Sequence, residues 1–203
     1  MKDLVLLVAD KNAQYALKGA LSRPAALGIR AIKFEFYVHS GRDGGARRTG
    51  PEMLALEQRR FQHALLVLDF EGCGTDLPTA TDLEAQLDAR LFPHWQAAAK
   101  SIVIDPELDA WVWGSDNAVE TVIEWPTGPS IRQWLRQQGF TFQANEKPTR
   151  PKEALEAALR IPALPRSSAL YQSIAERISL RHCHDPAYIR LRKQLIEWFP
   201  KPA

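Results

Sequence analysis

The distribution of apolar and polar positions divides the chain into two halves. In the first, Leu4-Val5-Leu6-Leu7-Val8, Ala64-Leu65-Leu66-Val67-Leu68 and Ile102-Val103-Ile104 are short unbroken apolar runs bounded by turn residues. Runs of this length suit strands buried on both faces of a sheet. They predict strands over 3–8, 63–70 and 101–104. A further strand over 29–38 alternates Ile32, Phe34, Phe36 and Val38 with Lys33, Glu35 and Tyr37, a period of two that fits a half-buried position near the sheet edge.

Between these strands the apolar spacing turns helical. Asn12 is a capping residue for a helix from about Ala13 to Leu21, stopped by Ser22-Arg23-Pro24. Residues 39–50, rich in glycine and arginine, read as a loop, and Pro51 as the first residue of a helix over 52–61. Leu83, Leu87 and Leu91 form the stripe of a helix from about Thr81 that Pro93 ends. Strand and helix in alternation predict an α/β fold, Rossmann-like, with a mostly parallel four-stranded sheet flanked by helices and right-handed crossovers.

The second half reads as a helical C-terminal extension. Helices are expected over 107–113, 116–124, 129–138 and 152–159, with a short extended or turn segment over 139–145. Ser167 or Ser168 caps a helix carrying Leu170, Ile174 and Ile178, and Pro186 opens a last one with Ile189, Leu195, Ile196 and Phe199 inward. The expected division is an α/β domain over 1–115 and an extension over 116–203 packed on it as one structural unit, with 145–151 the best linker candidate.

A chain of 203 residues is long enough for such a core. Cys73 and Cys183 imply no disulfide framework, the Met1-Lys2-Asp3-Leu4 start lacks a secretory signal, and no apolar run spans a membrane, so a cytoplasmic location is the default. Zinc at His182-Cys183-His184 is disfavoured, because adjacent ligands lack the usual spacing. The net charge of +2 hides an asymmetry. No Lys or Arg falls between Ser101 and Ile131, whereas bases outnumber acids from Arg166 onward. An acidic middle and a basic tail can pack together, or the tail can meet a polyanion.

The candidate chemistry lies at the strand ends. Asp10 follows the first strand, Asp69 and Glu71 the third, and Asp105, Glu107 and Asp109 the fourth. In a parallel sheet these ends share one edge, where ligands of α/β proteins bind. An oxygen-rich set of this kind suits Mg2+ or Mn2+ rather than zinc. Such an ion serves phosphoryl chemistry by neutralising charge and orienting the nucleophile. Arg42, Arg47 and Arg48 in the glycine-rich segment offer planar forks for phosphate. His39 and His63 read as structural, Cys73 has no identifiable partner base, and the tryptophans read as core.

Leu7-Val8-Ala9-Asp10, Leu66-Val67-Leu68-Asp69-Phe70-Glu71-Gly72-Cys73 and Asp105-Pro106-Glu107-Leu108-Asp109-Ala110-Trp111-Val112-Trp113-Gly114 together resemble the Toprim-like proteins of bacterial genomes. These are small relatives of the Toprim module of topoisomerases, primases and overcoming-lysogenization-defect nucleases, and some lie beside anti-phage defence systems, including a methylation-associated one. The resemblance covers about the first 115 residues. It implies a Toprim-like sheet, Mg2+ or Mn2+ held by Asp10, Asp69, Glu71, Glu107 and Asp109, and catalysis by Asp10, Asp69 and Glu71. Nucleic acid and the protein components of a defence system are the implied partners. Two positions depart from the family pattern: Asp10 stands where it has Glu, and Glu71 where it has a second Asp. Gln14 also stands where an acid is expected of active relatives. Two functions follow as expectations, a metal-dependent phosphoesterase or nuclease component and a non-catalytic binding or assembly subunit.

Overall fold

The computed structural model describes residues 1–144, 146–179 and 183–202. Its strands are β1 (Lys2–Val8), β2 (Phe34–Val38), β3 (Phe61–Asp69) and β4 (Ala99–Ile104). They form one four-stranded parallel sheet in the order β2-β1-β3-β4. The two longest apolar runs, β1 and β3, occupy the centre, and the alternating β2 lies at an edge. Successive side chains face opposite sides of a pleated strand. Leu4, Leu6, Val8, Leu65, Val67, Ile102 and Ile104 therefore serve one core, and Val5, Leu7, Ala64, Leu66, Leu68 and Val103 the other.

The helices are α1 (Lys11–Leu21), α2 (Pro24–Leu27), α3 (Arg42–Ala55), α4 (Ala80–Trp95), α5 (Asp109–Val112), α6 (Asp116–Val122), α7 (Ile131–Gln137), α8 (Pro151–Leu159), α9 (Ser168–Ala175) and α10 (Pro186–Trp198). α3 and α4 cover the second core, and α1, α9 and α10 join the first. The residues after position 115 thus share one continuous core with β1, β3 and β4. No described helix is long and apolar enough to cross a membrane.

The largest departure from the sequence pattern is α3. The pattern predicts a loop over 39–50 and a helix over 52–61; instead the helix occupies Arg42–Ala55 and β3 begins at Phe61. Gly45 and Gly50 are packing residues, not loop residues. A Cβ on Gly45 would lie 2.4 Å from the His39 ring, and one on Gly50 would lie 2.8 Å from Leu66 Cδ1. Glycine lets the helix approach the sheet, and that burial overrides its poor helix propensity. Pro51 lies inside α3 and cannot donate to the Arg47 carbonyl. Arg90 supplies the missing donor, Nη1 to Arg47 O at 2.7 Å and Nη2 to Arg48 O at 2.6 Å.

Smaller corrections follow the same logic. β2 starts at Phe34 rather than Ile29, which makes an isolated antiparallel bridge with Pro200. Pro93 lies within α4, which runs on to Trp95. Ser167 is the cap of α9. On α10 the inward residues are Ala187, Tyr188, Leu191 and Leu195, whereas Ile189 is 50% exposed. Asn145 of the expected linker and His182 of the disfavoured zinc pattern lie outside the described residues.

Candidate functional site

The strand order reverses direction between β1 and β3, since β2 lies on one side of β1 and β3 on the other. The crevice at the carboxyl ends of such a pair is the expected ligand site of an open parallel sheet. Here it is an open cleft of about 520 Å³, lined by the turns after β1, β3 and β4 and by residues 149–153 and Arg166.

Asp10 and Asp69 flank the reversal. Val8 is paired with Val67, and extending that register by two residues sets Asp10 opposite Asp69. Asp10 is in extended conformation (φ −150°, ψ 178°) and caps α1, with Oδ1 accepting the Ala13 N–H at 2.8 Å. The cap expected of Asn12 is therefore one of Asp10's duties, while Asn12 Oδ1 accepts from Ser168 Oγ at 2.8 Å.

Asp69, the last residue of β3, is held from two sides. Its Oδ1 accepts the Leu108 N–H at 3.0 Å, and its own N–H donates to Asp43 Oδ1 at 2.8 Å. Burial pushes its carboxyl well above the usual range, and the Asp43, Asp10 and Asp109 charges add to the shift, against the Leu108 N–H. Asp43 is likewise raised, first by burial and, among its neighbours' charges, by Asp10. Glu71 follows on an exposed turn, and its N–H donates to Pro106 O at 2.9 Å.

The turn after β4 brings in Glu107 and Asp109. The Glu107 carboxyl is pushed up to about 7 by burial, then by the Asp109 charge, with Lys152 opposing and Glu71 adding. Asp109 is 1% exposed and both its oxygens are engaged. Oδ1 accepts from Tyr171 Oη at 2.7 Å, and Oδ2 from Arg166 Nη2 at 2.7 Å. The Asp109 carboxylate is thus committed to an arginine and a tyrosine. Its carboxyl is nevertheless raised, because burial outweighs those partners.

The three arginines expected to meet phosphate are separated. Arg42 lines the cleft. Arg47 Nε donates to Cys73 O at 2.9 Å, and Arg48 is exposed on α3; neither lines the cleft. Arg150, Lys152 and Arg166 line it instead. The sequence pattern singles out none of these three bases, nor Asp43. The basic excess from Arg166 onward is the one signal for any of them, and Asp43 becomes visible only once 42–55 is known to be a helix.

Among the described residues no group of three or more His, Cys, Asp and Glu side chains is gathered as a metal-binding cluster. The oxygen donors suit a hard cation; their carboxyls are raised first by burial and then by neighbouring acid charges. Mg2+ is commonly held by one or two carboxylates plus phosphate oxygens of its ligand, without a complete protein cage. Asp69 and Glu71 both line the cleft and are carboxylates of the kind that role needs. No family model, no curated protein and no solved structure matches the chain.

Proposed function

We propose that the chain is a Toprim-like protein that binds a phosphate ester together with Mg2+ or Mn2+ at this cleft, as a component of bacterial anti-phage defence. The observation that carries the binding reading is the charge pattern of the cleft, seven acids and four bases around one opening at the strand reversal. An isolated anion meets the repulsion of Asp10, Asp43, Asp69 and Glu71. A cation alone meets the repulsion of Arg42, Arg150 and Lys152. A phosphate ester chelating a divalent cation satisfies both sets. Asp69 and Glu71 would hold the ion, which when bound neutralises phosphate charge and polarises its oxygens. The defence role is supported by the family resemblance of the three strand-end segments.

A second reading, phosphoester or nucleic-acid hydrolysis, is favoured by Glu107. A carboxyl titrating at about 7 inside the cleft is poised to give or take a proton at neutral pH. Asp10 is less suited, since one of its oxygens is tied into the α1 cap.

Purified protein is incubated with single- and double-stranded DNA and RNA plus Mg2+ or Mn2+, beside Asp69→Ala, and metal binding is followed by calorimetry. Metal-dependent cleavage lost in the variant establishes the enzyme reading. Metal-dependent binding without cleavage establishes the binding subunit. Neither metal nor polynucleotide binding sinks both.

A further inference from the structure

Arg166 is remote in sequence from the strand-end acids, yet it is fixed at their cleft. Its backbone lies between Pro165, whose ring sets φ, and Ser167, which caps α9 through the Leu170 N–H. Its side chain is fixed as firmly. Nε donates to Tyr171 Oη at 2.5 Å and Nη2 to Asp109 Oδ2 at 2.7 Å, and the guanidinium lies 5.4 Å from the Tyr171 ring centroid. Asp109 and Tyr171 are 1% and 2% exposed, whereas the Arg166 side chain is 27% exposed. A guanidinium has more N–H donors than these two contacts use. Nη1 makes no hydrogen bond among the described residues, and the residue lines the cleft.

A buried carboxylate needs a counter-charge, and that alone accounts for an Asp109–Arg166 pair. It does not account for where the arginine ends. Lys152 lines the same cleft, and both cations act on the Glu107 carboxyl, which also feels Glu71 from the acidic side. The helical half of the chain thus contributes bases to a cleft that is also lined by the strand-end acids.

We propose that Arg166, with Lys152 beside it, is the phosphate-binding element of the cleft, so that the helical C-terminal half completes a site whose acids come from the sheet. The ligand class is a terminal phosphate or pyrophosphate group. Asp109 and Tyr171 are positioning residues that hold the guanidinium in place. An arginine whose rotamers are already restricted loses less entropy on binding and presents a charge-assisted donor in fixed orientation. The assignment rests on the metal–phosphate reading of the cleft, and replaces Arg47 and Arg48 as the bases that meet phosphate.

The test is calorimetric titration of the full chain with pyrophosphate, with and without Mg2+, and separately with Mg2+ alone. Arg166→Gln is compared with Asp109→Asn/Arg166→Gln, which removes both members of the buried pair, and with Lys152→Gln, which disrupts no ion pair among the described residues. Pyrophosphate affinity is expected to fall roughly tenfold or more in both Arg166 variants and severalfold in Lys152→Gln, with Mg2+ affinity and melting of Lys152→Gln unchanged. A purely structural arginine would lower melting in Arg166→Gln and leave pyrophosphate affinity untouched in the charge-balanced and Lys152 variants, which overturns the assignment. Mg2+ binding without pyrophosphate binding in the wild type also overturns it and leaves the metal reading standing. Pyrophosphate binding that needs Arg166 but not Mg2+ upholds the assignment and removes the metal. Binding of neither removes both.

Discussion

Asp43 Oδ1 accepts the backbone N–H of Asp69 at 2.8 Å, so the first turn of α3 terminates β3. The β1–β3 pairing ends at Val8 and Val67, so this N–H relies on Asp43, and a buried donor left without an acceptor costs about 1–3 kcal/mol. The same contact places two carboxyl groups in one desolvated site, where each disfavours ionisation of the other. The arrangement anchors the site and brings two acids together within it.

Asp43→Ala and Asp43→Asn separate these effects. Alanine removes the acceptor and is expected to destabilise by about 1–3 kcal/mol. Asparagine keeps an acceptor and removes one anion, so at neutral pH it should be at least as stable as the wild type. The Asp69 carboxyl should titrate lower in Asp43→Asn, because a charge that raises it is gone. Urea denaturation and carboxyl NMR titration read the two outcomes. Equal destabilisation by both substitutions would show that charge, not the hydrogen bond, is what Asp43 contributes.

Glu107 predicts a pH dependence whose sign is opposite to that of a salt-bridged acid. Its carboxyl binds its proton more tightly in the folded chain, titrating at about 7 against an ordinary 4.5. Below about 4.5 both states are protonated and the group contributes no difference. As pH rises from there toward about 7, the unfolded chain releases its proton first, and stability falls. Glu107→Gln should flatten this decline while leaving the acid limb intact. Denaturation midpoints measured across pH 4.5 to 7 test it; parallel curves for the two proteins would place Glu107 in water.

What can be read from the sequence follows from how local each signal is. β1, β3 and β4 announce themselves because a strand buried on both faces needs only contiguous apolar residues. The acids at their ends are equally plain, and a parallel sheet puts them on one edge. α3 is not legible: glycine at 44, 45 and 50 is a breaker by propensity, whereas at 45 and 50 it is a spacer by packing, and only His39 and Leu66 decide which. Asp43 is hidden with that helix. Arg166 is hidden for another reason, since its partner Asp109 lies 57 residues away and no pattern links them. The cap of α1 reads as Asn12 although Asp10 performs it, because both residue types cap well and only the strand's end distinguishes them.

Gly19 sets the distance at which the helical half docks. A Cβ there would lie 2.7 Å from the Gln172 carbonyl oxygen and 3.0 Å from Ala175 Cβ, both on or beside the backbone of α9. Gly19→Ala gains about 1 kcal/mol of helix propensity in α1 but forces the helices apart, an overpacking penalty of about 1–3 kcal/mol. The clash is with backbone, so the penalty should win and lower the melting temperature. A raised melting temperature would mean that α9 yields at this contact. It would then be too loosely held to fix Arg166 at the cleft.

Lys147 and Asp185 hold the other flank. They are 5% and 3% exposed, with Nζ 2.8 Å from Oδ2. Asp185 Oδ1 also accepts from Trp111 Nε1 at 2.9 Å and from the Tyr188 N–H at 3.1 Å, capping α10. One carboxylate thus joins the segment before α8, the α5 tryptophan and the start of α10. Lys147→Met leaves that carboxylate buried without its cation, at a cost of about 3–5 kcal/mol. Adding Asp185→Asn removes the charge while keeping an oxygen for Trp111 and the cap, so the double variant should recover much of the loss. If it does not, the ammonium group acts through contacts other than Asp185. If Lys147→Met alone is harmless, water reaches the carboxylate and the flank is open. The expected order is wild type, then the double variant, then Lys147→Met, read from urea midpoints at neutral pH. That order would establish the ion pair as a fastener of the helical half to the β4 end of the sheet, beside the Asp105–Pro106 turn.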